Sequence, residues 1–119
     1  MPDISTLPIV NLDTAQQLQA YGGKEILNEV YTEFETETQQ ILSDLEVGIA
    51  KKDWEWVRRS FHTIKGSSAT LGIERMQRLA YIGETNQREG KNAQAPQDLK
   101  ALQTAFEEYR KVYKQILRL

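Results

Sequence analysis

The chain has 119 residues, enough for one packed domain but not two, and with one histidine and no cysteine it has no disulfides and no thiolate zinc site. Apolar residues make up 39% and charged residues 27%, and the net charge is only -2, which argues against disorder and against a general nucleic-acid binder. No run approaches a membrane span, and Met1 to Val10 lacks the basic start and apolar core of a signal peptide, so a cytoplasmic protein is expected.

Residues 1–11 carry Pro2 and Pro8 with little periodicity, which predicts an arm that lies over the remainder or stays mobile. Residues 12–119 are expected to form one bundle domain. Asn11 or Asp13 would cap a short helix reaching about Tyr21, and Gly22-Gly23 breaks the pattern. From Lys24 to about Gly48, Ile26, Leu27, Val30, Phe34, Ile41, Leu42 and Leu45 recur at helical spacing. Asp53 is the expected N-cap of a third segment, Trp54 to about Leu71, which Gly72 ends. Ile73, Met76, Leu79, Ile82 and Gly83 continue as another helix before the polar loop at Arg88 to Asn92. A last helix begins near Pro96 and carries Leu99, Leu102, Phe106, Tyr109, Tyr113 and Ile116. The predicted fold is all-α: an up-down-up-down four-helix bundle with a short extra N-terminal helix.

The segment from Trp54 to Leu71 separates its two faces most cleanly. At about 100° per residue, Trp54, Val57, Phe61, Ile64, Ser68 and Leu71 share one arc, while Arg58, Arg59, His62, Lys65, Gly66 and Ala69 share the other. The only histidine therefore points away from the core. Gly66, one turn beyond it, costs a helix roughly 1 kcal/mol relative to alanine, so the missing side chain has a use: it clears the surface beside the imidazole. Lys65 at i+3 and Arg58 and Arg59 on the preceding turn give that imidazole a basic surround. Such a field disfavours the imidazolium and stabilises an anion transferred onto the ring, which suits a histidine that accepts a phosphoryl group. A bland surface histidine is the competing reading. No converging acid, base or nucleophile set is present for hydrolysis, no further His or Cys for a metal, and no glycine-rich phosphate loop for a nucleotide. The phosphoryl group would then come from another protein.

His62-Thr63-Ile64-Lys65-Gly66-Ser67-Ser68-Ala69-Thr70-Leu71-Gly72 resembles the His-x-x-Lys-Gly-Ser-Ser-x-x-Leu-Gly signature of histidine-containing phosphotransfer (HPt) domains of multistep two-component relays. Gly22-Gly23 with Glu25-Ile26-Leu27 and Phe34 is similar to the family's entry into its first long helix, and Leu79 to Glu84 to the helix after the signature. Gly83 departs from the family, which usually has a larger apolar residue there. The likeness extends from about Leu12 to Ile116.

The resemblance implies that His62 is phosphorylated, receiving the group from an aspartate of one receiver domain and passing it to another. The implied partners are receiver domains of hybrid sensor histidine kinases and of response regulators, without nucleic acid or membrane. It also implies that Lys65 pairs with the phosphoryl oxygens and that Gly66 gives the receiver room to close. Arg58, Arg59 and Ala69 would belong to the docking face. Ser67 matches the family's small pair, although its position at the rim of the buried arc favours packing with a hydrogen bond to a neighbouring helix or backbone. Glu84 would orient the imidazole, with an ordinary solvated acid as the alternative. The chain is expected to act without kinase activity and without a cofactor or metal of its own, magnesium being expected in the receiver, and to be a monomer. Two other readings share the fold: the phosphoacceptor domain of a chemotaxis-type kinase, and an adaptor that binds without phosphotransfer.

Overall fold

The computed structural model describes residues 3–119; Met1 and Pro2 of the expected arm lie outside the described residues. Four helices follow one another in the order α1 (Leu12–Ala50), α2 (Trp54–Leu71), α3 (Glu74–Arg88) and α4 (Ala95–Leu117), with a single 3-10 turn at Asn92–Gln94 leading into α4. Each helix lays one apolar face against the others. Leu27, Leu45, Val57, Phe61, Ile64, Met76, Leu102 and Phe106 are all buried in the shared core. Among the described residues no helix is long and apolar enough to cross a membrane.

The two N-terminal helices expected from the sequence meet at a kink within α1, as Gly22-Gly23 signalled. Gly23 takes φ 76° and ψ -174°, which L side chains rarely adopt, and helical structure continues on both sides. A straight helix of 39 residues would measure roughly 58 Å at about 1.5 Å per residue. The whole molecule is only 42 Å in its longest dimension, so the bend at Gly23 is what keeps the N-terminal part of α1 on the bundle. Asn11 is the cap: its Oδ1 accepts from the backbone N–H groups of Asp13 (2.9 Å) and Thr14 (3.3 Å).

The arm lies against α3 and α4 through Arg75, whose guanidinium donates to the carbonyls of Leu7 (2.6 Å) and Ser5 (3.0 Å) and pairs with Glu108 (2.8 Å). Val10 is buried. Three tyrosines tie the far side of the core together. Tyr31 donates to the carbonyl of Leu71 at 2.7 Å and Tyr109 to that of Tyr31 at 2.9 Å, while Tyr109 and Tyr113 stack with centroids 4.5 Å apart. Trp56, at the start of α2, packs on α1. A Cβ added at Gly48 would lie 2.6 Å from its ring.

Candidate functional site

The cap and stop signals that bound α2 work as expected. Asp53 accepts from the N–H of Trp56 at 3.3 Å, and Gly72 ends the helix in the left-handed region at φ 68°. Between these ends Val57, Phe61, Ile64 and Ser68 are buried, and the opposite face carries His62, Gly66 and Ala69, all exposed. The His62 side chain retains 62% of its accessible surface, and its ring is available from solvent. No atom outside the helix backbone lies within 4 Å of a Cβ built on Gly66, so the bundle itself does not require glycine there.

What lies under the imidazole comes from α3. Glu84 is fully buried, its Oε2 accepting a hydrogen bond from His62 Nδ1. Its Oε1 pairs with Lys65 Nζ at 2.7 Å and with Arg88 Nη2 at 2.9 Å. Burial by itself pushes the Glu84 carboxyl up, but the hydrogen bonds from Lys65 and His62, together with their charges, outweigh it and hold the group below the usual carboxylate value. An ionised carboxylate only accepts, so the proton of this bond belongs to Nδ1, and the neutral ring then carries its lone pair on Nε2. Glu84 is therefore not a solvated acid. The purely basic surround expected from α2 alone is corrected by this carboxylate, which balances Lys65.

Close approach of the two helices makes the contact possible. A Cβ at Gly83 would lie 2.7 Å from Cδ1 of Phe61, so the residue at which the sequence departs from the HPt pattern is the one that lets α3 come down on α2, directly before Glu84.

The remaining residues singled out from the sequence divide in two. Arg58 turns back along its own helix to Glu55 at 2.7 Å, and Arg59 is exposed without an ion pair among the described residues. Neither makes a hydrogen bond to His62 among the described residues, and they flank it on the same face. Ser67 bonds the carbonyls of Thr63 (3.1 Å) and Ile64 (3.3 Å), and Ser68 that of Ile64 (2.5 Å). Both serines thus use the backbone of their own helix, not a neighbouring helix. Beside Lys65, a groove of 440 Å³ between α2 and α3 is lined by Leu7, Glu74, Gln77, Arg78 and Tyr81. Sequence reasoning missed Arg88, assigned there to the polar loop. The signal that could have found it is its i+4 spacing from Glu84 on the same helix.

The arrangement suits a nucleophilic imidazole. One nitrogen is fixed by a buried carboxylate, the other faces solvent, an ammonium stands beside the ring, and the next turn is bare. A protein-family model described as Hpt domain matches residues 29–112, most of the chain. Two solved structures superpose closely. Histidine-containing phosphotransfer protein B (HptB) from Pseudomonas aeruginosa PAO1 gives a TM-score of 0.84 at 22% identity, covering 93% of this chain and 96% of that one. A putative histidine-containing phosphotransfer protein from rice gives 0.82 at 20% identity, covering 92% and 82% respectively. At these identities the likeness speaks for the fold. No curated protein matches in the corresponding sequence search.

Proposed function

The chain belongs to the Hpt domain family, a family of histidine phosphotransfer domains in phosphorelays, and from that premise we propose that His62 is its phosphoacceptor, carrying a phosphoryl group between receiver-domain aspartates. The observation that supports this most directly is the hydrogen bond from His62 Nδ1 to the buried carboxylate of Glu84. It orients the ring and leaves the Nε2 lone pair free at the surface.

In the transfer, the Nε2 lone pair attacks the phosphorus of an aspartyl phosphate. The N–P bond forms as the P–O bond to the aspartate breaks, and that bond's electron pair returns to the aspartate carboxylate. Nε2 carries no proton, so none has to leave it. The ring gains positive charge while Nδ1–H is held against the buried carboxylate of Glu84, which stabilises that charge. Lys65 supplies an ammonium for the incoming phosphoryl oxygens, and Gly66 leaves the helix surface bare where the receiver must close. The reverse step follows the same path.

The docking face comprises Arg58, Arg59, Gly66, Ser67 and Ala69 around His62, extended by the groove at Gln77, Arg78 and Tyr81. Charged residues there set orientation and the aliphatic surface provides contact. The chain acts as a carrier in the cytoplasm, without ATP-dependent kinase activity, as a monomer. The magnesium ion that assists phosphoryl transfer is the receiver's and not this domain's.

The test is incubation with a labelled phosphorylated receiver, following acid-labile, base-stable label on wild type and on His62→Gln. Label on the wild type alone is the expected result. Equal label on the variant, or none on either despite measurable binding, would overturn the assignment.

A further inference from the structure

Glu84 holds more positive partners than one carboxylate needs. Its Oε2 is occupied by His62, and its Oε1 is shared by Lys65 Nζ at 2.7 Å and Arg88 Nη2 at 2.9 Å. The carboxylate is fully buried, and a buried charge that loses its partner is strongly penalised. Yet Lys65 has a second demand on it. On the reading of His62 as phosphoacceptor, its ammonium is also the cation beside the phosphoryl group, and turning outward toward that group takes it away from Oε1.

Arg88 differs from Lys65 in its placement. It sits at i+4 from Glu84 on the same helix, so its pairing with Oε1 does not depend on how α2 and α3 lie, nor on what arrives at His62. Its side chain is 57% exposed against 27% for Lys65, so the stem lies toward solvent while one guanidinium nitrogen reaches the buried carboxylate. We propose that Arg88 is a positioning residue: it keeps Glu84 ionised and aimed at His62 Nδ1 while Lys65 is drawn to the phosphoryl group. The two cations are then alternates on one oxygen. Lys65 is the one that moves, on a flexible stem with a compact charge, and Arg88, with its planar donor fork, is the one that stays.

Removing Lys65 reproduces its departure without any phosphoryl transfer, which makes the proposal testable separately from the function it rests on. The ring tautomer of His62 would be measured by long-range 1H–15N correlation NMR in wild type, Lys65→Ala, Arg88→Ala, Lys65→Ala/Arg88→Ala and Lys65→Ala/Arg88→Lys, at a pH where the ring is neutral. The Nδ1–H form is expected to dominate in wild type and in both single variants, to lose that dominance in the double alanine variant, and to be restored in Lys65→Ala/Arg88→Lys. Should the double alanine variant not fold, Lys65→Ala/Arg88→Gln, whose amide offers a donor without charge, is expected to show a weakened preference.

In transfer assays with a phosphorylated receiver, Arg88→Ala is expected to slow acceptance several-fold and Arg88→Lys to recover most of it. An unchanged tautomer in the double alanine variant would overturn the proposal, even with transfer impaired, because Arg88 would then be acting on the receiver. A wild type that shows the expected tautomer pattern but accepts no phosphoryl group would overturn the function while leaving the role of Arg88 toward Glu84 standing.

Discussion

Gly83 and Phe61 are in contact such that a side chain on the first would collide with the ring of the second, and this contact sets the height of α3 over α2 at the site. Phe61 is fully buried, so the ring cannot swing out of the core without exposing apolar surface. Gly83→Ala gains up to about 1 kcal/mol in helix propensity but overpacks a filled core, a cost of about 1–3 kcal/mol. Net destabilisation is expected in urea unfolding, together with slower phosphoryl acceptance, because Glu84 is the adjacent residue and is lifted from His62. A variant as stable as wild type would show that the helices separate freely there.

Gly66 should give the opposite sign. Its Cβ position is open, so Gly66→Ala should stabilise the isolated domain by about 1 kcal/mol through helix propensity alone. Transfer from a receiver should nevertheless fall, since the methyl group occupies surface the partner has to cover. A variant that is both more stable and fully active would remove Gly66 from the docking face.

Glu84 makes stability depend on acid in a defined direction. Its folded carboxyl is held below the ordinary value of 4.5, so its ionised form contributes stability above about pH 4.5, and that contribution is lost as the pH falls through the folded value. Urea midpoints of wild type and Glu84→Gln, compared across a pH series, should differ by a constant amount above that point and converge below it. A difference that widens toward acid would mean that burial, and not Lys65 and His62, dominates this carboxyl.

Tyr31 joins the middle of α1 to the last carbonyl of α2 through its 2.7 Å bond to Leu71. Tyr31→Phe leaves that buried carbonyl without this donor, and a loss of about 1–2 kcal/mol is expected by thermal or urea unfolding, with transfer unaffected. A neutral substitution would show that the tyrosine contributes through its ring alone.

How far the molecule can be read from its residues depends on whether the information lies within one helix or between two. The helix α2 was legible to the residue, because Asp53, the buried arc through Val57, Phe61, Ile64 and Ser68, and Gly72 are local signals that agree. The kink was half legible: Gly22-Gly23 marks the break between the short and the long segment of α1, but only the backbone at Gly23 shows the bend it makes. At the site, the placement of His62, Lys65 and Gly66 on one face followed from helical spacing. The charge beneath the imidazole did not, because Glu84 reaches it across an interface whose register is set by Gly83 against Phe61, and Arg88 becomes meaningful only once Glu84 is known to be buried.

The helix that carries His62 is pinned at both ends by α1 and its cap. At one end Asn11 donates its backbone N–H to the Gly72 carbonyl at 2.8 Å and its side-chain amide to Glu74 at 2.8 Å; at the other, the N–H of Asp53 bonds the Gly48 carbonyl at 3.0 Å while Trp56 packs on that glycine. A segment fixed in this way has already lost the freedom that complex formation would otherwise remove, so little ordering cost remains when a partner arrives. Encounter with a receiver should therefore resemble two finished shapes meeting, with backbone change confined to the receiver and an association rate governed by orientation and salt.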